Sequence, residues 1–369
     1  MSTPTRPHKI TILGAGNIGS KLWETLCYDR AADLIEVWNH SAKRHDNTQF
    51  IAQQLKVDQG IKATLRRHPS PPTSHYKFSY NLPESLKDAE IVVITAGEAR
   101  KAGMNDRALL TKGNTKIIDD IAKVVKDNRN PNTIYIIATN PVDALTERFR
   151  QITGIPAERI IGLGGELDRT RLLQSICLQL GIGEDQIFNA EVVGQHGPTM
   201  VPLLDNVEVM YGGKRQKLTE VFAQLDKKQK QGENVGVWPA DKPEYAELTV
   251  KQRIVNATKQ GGDIMTELDG VSDAHAPAIA LREMVHQVID AKTGKKPTPF
   301  FCSALRKDAG VYTGGPGQFV MENGRCVHAT LPLPQMSEQE KTDFDASVAA
   351  CNKALTGLPA FEARPGAYL

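Results

Sequence analysis

The segment Lys9-Ile10-Thr11-Ile12-Leu13-Gly14-Ala15-Gly16-Asn17-Ile18-Gly19 decides the fold. Five strand-forming residues run into a GxGxxG turn, and a helical stretch (17–30) follows at once. In that setting the glycines have separate jobs. Gly14 permits the tight turn, Gly16 lets a pyrophosphate approach the backbone, and Gly19 allows close packing of the helix. Asn17 and Ile18 open the helix, whose unpaired N–H groups and partial positive charge favour phosphate. Three glycines alone would serve any turn. A strand before them and a helix after them make a dinucleotide-binding signature.

Further strands follow outward from this turn: LIEVWN (34–39), EIVVITAG (90–97) and TIYIIAT (133–139). Their near-continuous apolar character is what a sheet covered on both faces requires. Thr95, Ala96 and Gly97, closing the second of them, join the candidate cofactor-binding set. Residues 107–126 read as a helix with Leu110, Ile117, Ile118, Ile121, Val124 and Val125 on one face. Strands alternating with helices predict an α/β fold, a doubly wound parallel sheet of the Rossmann type.

After about residue 155 the texture changes. A helix (165–180), a strand-like run (186–193) and a hairpin turned by Gly212 and Gly213 predict an α+β second domain. The expected division is 1–155 for dinucleotide binding, 156–353 for substrate and catalysis, and 354–369 as a C-terminal tail. Two polar stretches, 68–75 (HPSPPTSH) and 227–245 (KKQKQGENVGVWPADKPEY), read as exposed loops.

Composition narrows the function classes. The chain has 369 residues, room for two cores, with 40% hydrophobic and 24% charged residues. That is an ordinary globular balance. Forty-five basic against 43 acidic residues leave +2, which argues against a nucleic-acid partner. The longest apolar runs fall far short of the ~20 residues of a membrane span, and no leader-like segment opens the chain. Five cysteines without a CxxC predict free thiols, a cytoplasmic setting and no zinc site.

The second strand ends on Asn39, where a dinucleotide-binding chain normally carries an acidic residue for the ribose hydroxyls. His40, Ser41, Lys43 and Arg44 follow. A neutral amide beside a hydroxyl and two cations suits a 2′-phosphate, so the sequence leans to NADP. If Lys43 and Arg44 only solvate a loop, the cofactor is NAD.

Four more segments carry polar groups: ITAGEARKAGMNDR (94–107), NPVD (140–143), GLGGELDRTR (162–171) and GQHGPTMVP (194–202). Each alone would pass for a loop. In this order on one dinucleotide-binding chain they resemble the lactate/malate dehydrogenase family, nearer its malate branch, over residues 8–353. The stretch 314–334 is similar to that family's last strands.

The resemblance implies hydride exchange between a nicotinamide and a 2-hydroxy or 2-oxo acid. It makes His196 the acid–base group, whose pKa near neutrality suits that role, and Asp168 the carboxylate that orients it. Arg171 matches the clamp on the C1 carboxylate, a bidentate fork. Asn140 matches the amide donor to the reacting oxygen, and a cis bond is implied before Pro141. Arg100, in a loop similar to the family's closing lid, matches the arginine for a distal carboxylate and so points to malate. By the same resemblance the protein forms a homodimer or homotetramer.

Three positions depart from the family pattern. Asp106 stands where a second loop arginine is expected, with Arg107 one residue later. Pro198 replaces a residue with a backbone N–H in the histidine loop. Asp273 falls on the wall of the pocket, where a carboxylate would disfavour a second substrate carboxylate. Two alternatives follow: lactate or another side-chain-modified acid as substrate, or a catalytically weakened dinucleotide-binding sensor.

Overall fold

A computed structural model describes residues 7–39, 75–98, 107–233, 235, 247–269 and 274–361. Its centre is a nine-stranded sheet. Six parallel strands run in the order β3-β2-β1-β4-β5-β6: β1 (Lys9–Leu13), β2 (Leu34–Trp38), β3 (His75–Ser79), β4 (Ile91–Ile94), β5 (Ile134–Ile137) and β6 (Ile160–Gly162). This is the doubly wound dinucleotide-binding order, with its switch point between β1 and β4. The prediction of a Rossmann sheet is met.

The continuous apolar strands are explained by two cores. Ile91 and Val93 of β4, with Ile134 and Ile136 of β5, face a core shared with helix α1 (Asn17–Asp29). Val92, Ile94, Tyr135 and Ile137 face the opposite core, under α2 (Leu82–Leu86), α3 (Arg107–Asn128) and α4 (Val142–Thr153). A strand's side chains alternate, so burial on both faces makes every position apolar. On α3 the expected stripe packs down, with Ile118, Ile121 and Val125 fully buried.

Beyond β6 and α5 (Gly165–Leu180), the chain forms two small sheets. The expected single strand over 186–193 is two strands in different sheets, β7 (Ile187–Phe188) and β8 (Glu191–Val193). Asn189 between them takes a positive φ of 60°, which turns the chain from one sheet to the other. β8 pairs with β9 (Val201–Leu203), and β10 (Glu208–Tyr211) with β11 (Lys214–Lys217). The latter hairpin turns at Gly212 and Gly213, both with positive φ, as a two-residue turn demands.

Helices α6 (Leu218–Lys230), α7 (Val250–Asp269) and α8 (His275–Lys292) follow. The predicted loop at 227–245 therefore begins inside a helix. Leu218, Val221, Phe222 and Leu225 bury one face of α6 and carry the helix through its basic last turn, where cations suit the dipole. Strands β12 (Phe300–Arg306), β13 (Val311–Glu322) and β14 (Arg325–Thr330) then add antiparallel to the edge of the same large sheet beside β6. Helix α9 (Glu338–Thr356) starts at a Ser337/Glu340 capping box. After it, Leu358 packs on the α3–α4 core and the Phe361 ring lies under Lys123 and Arg148.

Strand β3 was not anticipated, because the Pro/Ser run before it reads as loop. Its HYKFS pattern is nonetheless alternating, and Tyr76 and Phe78 pack edge-on against Trp23 of α1 at 5.4 and 4.6 Å.

Candidate active site

Gly14, Gly97, Asn140 and Gly164 all lie just beyond the carboxyl ends of β1, β4, β5 and β6. Ligands bind at that edge of such sheets. Gly14 has φ +118°, and a Cβ there would stand 2.6 Å from the Ala96 nitrogen. A Cβ on Gly19 would reach 1.9 Å from the Gly14 carbonyl oxygen. Both are closed to any side chain. Gly16 is the opposite case: a Cβ there meets nothing within 4 Å.

That open space lies at the start of α1, where Gly16 caps the helix without a side chain and the first turn carries no acid. The turn thus fits a pyrophosphate: room beside the backbone, free N–H groups and no repelling charge. Thr95 Oγ1 donates to the Gly14 carbonyl at 2.9 Å, tying the turn to the end of β4. Asn39 is buried, and its N–H donates to the Ser79 carbonyl. His40, Ser41, Lys43 and Arg44 lie outside the described residues.

The candidate acid–base groups meet across 28 residues of chain. Asp168, on the first turn of α5, is 2% exposed, and its Oδ2 lies 2.8 Å from His196 Nδ1. Its Oδ1 lies 3.4 Å from Arg171 Nη1, one helical turn on. With Nδ1 committed to a carboxylate, Nε2 is the nitrogen left for proton transfer. Burial would lower the imidazole pKa, but the charge and hydrogen bond of Asp168 outweigh that and hold it above its ordinary value.

Neighbouring glycines make room for these groups. A Cβ on Gly164 would stand 3.2 Å from His196 Cβ. On α7, Cβ atoms at Gly261 and Gly262 would stand 3.2 Å from Arg171 Cδ and 3.1 Å from its Nη2. Gly261 and Gly262 were not singled out from the sequence, although adjacent glycines inside a helical pattern are a signal of close approach.

Asn140 follows β5 and is joined to Pro141 by a cis peptide, as expected. Asn114 of α3 holds it, donating from Nδ2 to the Asn140 carbonyl at 2.8 Å. Asn114 also accepts the Glu98 N–H at 2.7 Å, so one amide ties together the ends of β4 and β5. Asn114 was not singled out from the sequence.

The structure brings together His196, Asp168 and Arg171, and sets Gly14, Gly16, Gly19, Thr95, Ala96, Gly97 and Asn140 along one sheet edge. Arg100 and Asp273 lie outside the described residues, as does the Arg107 side chain, although Arg107 opens α3.

The NAD binding domain of the lactate/malate dehydrogenase family matches residues 8–162. A malate dehydrogenase of Geotalea daltonii is 31% identical over 369 aligned residues, covering 95% of this chain and 98% of the relative. The chain belongs to the lactate/malate dehydrogenase family. A malate dehydrogenase of Citrifermentans bemidjiense is 30% identical over 95% of this chain and 98% of its own length. The crystal structure of Cryptosporidium parvum malate dehydrogenase superposes with a TM-score of 0.73 at 25% identity, covering 95% of this chain and 99% of that one. The chain is therefore an NAD-dependent oxidoreductase acting on 2-hydroxy acids.

Within that family pattern Pro198 does less than expected. It sits second in a turn closed by the Met200 N–H on the Gly197 carbonyl at 3.0 Å, a position proline prefers and where no N–H is needed. The histidine loop is held by other groups, which sequence reasoning did not find: Asp143, Ser303 and Ser347. Among the described residues no cluster of His, Cys, Asp and Glu suits a metal ion, and no helix is long and apolar enough to cross a membrane.

Proposed function

We propose that malate and oxaloacetate are the preferred substrate pair and that His196, Asp168, Arg171 and Asn140 carry the reaction. The observation supporting this most is the 2.8 Å contact between His196 and Asp168 beside the Arg171 guanidinium. His196 Nε2 takes the hydroxyl proton during oxidation and returns it during reduction. Asp168 fixes the ring and favours the imidazolium. Arg171 grips the C1 carboxylate with its planar fork, and the Asn140 amide donates to the reacting oxygen. A bound dinucleotide supplies the hydride acceptor or donor.

The choice of malate draws on the relatives that bear its name and on Arg100, whose cation would pair with a distal carboxylate. A shift of one position in the loop would let Arg107 replace the arginine displaced by Asp106, and a carboxylate of Asp273 facing the substrate would instead favour a cationic or polar side chain. The finer preference for NADP rests on sequence alone, on Asn39, Ser41, Lys43 and Arg44; nothing in the described residues supports it. Five free thiols support a reducing, cytoplasmic setting, and by resemblance the protein is a homodimer or homotetramer.

An initial-rate panel of oxaloacetate, pyruvate and other 2-oxo acids, each with NADH and NADPH, tests the proposal. Oxaloacetate is expected to give a kcat/KM at least about tenfold above pyruvate. A pyruvate preference would overturn the malate assignment, and a lower KM for NADH than for NADPH would remove the NADP lean. Tight dinucleotide binding without oxidation by any 2-oxo acid would return the sensor reading.

A further inference from the structure

The histidine loop leaves its own sheet just before the histidine: β8 ends at Val193. The next three backbone units are each fastened by a different distant element. Gly194 exchanges hydrogen bonds with Gly314 of β13 at 3.0 and 2.8 Å. The Gln195 N–H donates to Ser347 Oγ of α9 at 2.8 Å, 152 residues away. The His196 N–H donates to Asp143 Oδ2 of α4 at 2.9 Å. Ser347 is fully buried and Asp143 is 4% exposed.

Asp143 is the unusual member of this set. Its other oxygen accepts from Ser303 Oγ of β12 at 2.6 Å, so one carboxylate joins α4, strand β12 and the histidine loop. Burial pushes its carboxyl up to about 6, against the opposing hydrogen bonds of Ser303 and His196. A neutral side chain could accept the same N–H without that cost. A carboxylate there does something a neutral acceptor would not: it places negative charge against the residue that must become imidazolium.

We propose that Asp143 is a positioning residue for the reaction, fixing the His196 backbone through its N–H and supporting the protonated ring, with Ser347 as the uncharged half of the same clamp. The inference rests on His196 being the acid–base group. Among the described residues, the charged and titratable groups facing this region are Asp168 and Arg171 from α5, Asp143 from α4 and Cys351 from α9. Asp168 and Asp143 favour the imidazolium, and Arg171 opposes it.

The test uses the full chain, NADH and the best 2-oxo acid of the panel. Asp143→Asn should lower kcat by about 10- to 100-fold, the scale of a slightly misplaced catalytic group, with dinucleotide affinity within about twofold. Reduction needs protonated His196, so kcat/KM falls as pH rises through its pKa. Removing a nearby negative charge lowers that pKa, and the fall should move to lower pH by about half a unit or more. Ser347→Ala should lower kcat about three- to tenfold without moving the midpoint, because it removes a contact and no charge.

An unchanged kcat and midpoint in Asp143→Asn would overturn the proposal. So would a lower kcat with an unmoved midpoint and an equal loss of dinucleotide affinity, the pattern of a purely structural residue. Should Asp143→Asn fail to fold, Ser303→Ala keeps the carboxylate while removing the donor that favours its charge. An unaltered pH profile in that variant would equally overturn it. His196→Asn serves as the control. If it retains wild-type turnover, the acid–base assignment itself fails; if it collapses turnover while Asp143→Asn does not, only the present inference fails.

Discussion

Arg171 shows how much one residue type decides. Its guanidinium is anchored at one nitrogen by Asp168 and flanked by the two glycines of α7, which leaves a planar fork in a fixed orientation. A lysine would keep the charge and lose the fork. Arg171→Lys should therefore raise KM for any 2-oxo acid by about ten- to a thousandfold, with dinucleotide affinity preserved. Steady-state kinetics read this directly, and an effect below about threefold would mean that the acid is bound elsewhere. His196, Asp168 and Arg171 were legible through the order of four polar segments, each modest alone, that together resemble one family. Asp143 and Ser347 were not, since a carboxylate after a proline and a serine in a helix read as ordinary polar positions.

Elements were legible where local pattern and tertiary role agree. The α5 boundaries fall at Gly165 and Leu180 as read, with Gly181 ending the helix at a positive φ of 66°. The β1–turn–α1 unit was readable for the same reason, and its tolerance follows from geometry. Gly19→Ala would drive a methyl into the Gly14 carbonyl and Thr95 Oγ1, so the backbone must shift. A stability loss of about 1–3 kcal/mol is expected, with dinucleotide affinity lowered at least about tenfold. Urea unfolding and NADH fluorescence titration check both halves, and wild-type values in both would mean that α1 has room to slide. The two-way split of 186–193 was not readable, because a positive-φ asparagine looks like any other polar residue within a strand.

The whole molecule depends on joints between segments far apart in sequence. Asp29, at the end of α1, accepts from Arg282 Nη2 at 2.9 Å and pairs with His286 Nε2 at 2.8 Å, both on α8. Burial raises the Asp29 carboxyl, but the Arg282 and His286 hydrogen bonds outweigh it and leave the pKa lowered. A depressed carboxylate stabilises the fold above its unfolded pKa, and the contribution disappears as pH falls through the folded value. Asp29→Asn should therefore cost about 0.5–1.5 kcal/mol at pH 7, a partly exposed network discounted for solvent. The gap from wild type should close below about pH 4. Denaturant unfolding across that range decides it, and a gap that persists at low pH would assign the loss to packing instead.

By itself the sequence determined the alternating elements and the phosphate turn. These follow from local spacing: period-two and helical apolar patterns, and glycines where a Cβ has no place. Only the tertiary structure decided how His196 is held, which helix makes room for Arg171, and that β12–β14 extend the same sheet. Those contacts join residues up to 160 positions apart. A hydrogen bond closing so long a loop leaves no periodic trace in the chain, because its partners are chosen by the packed fold and not by their neighbours in sequence.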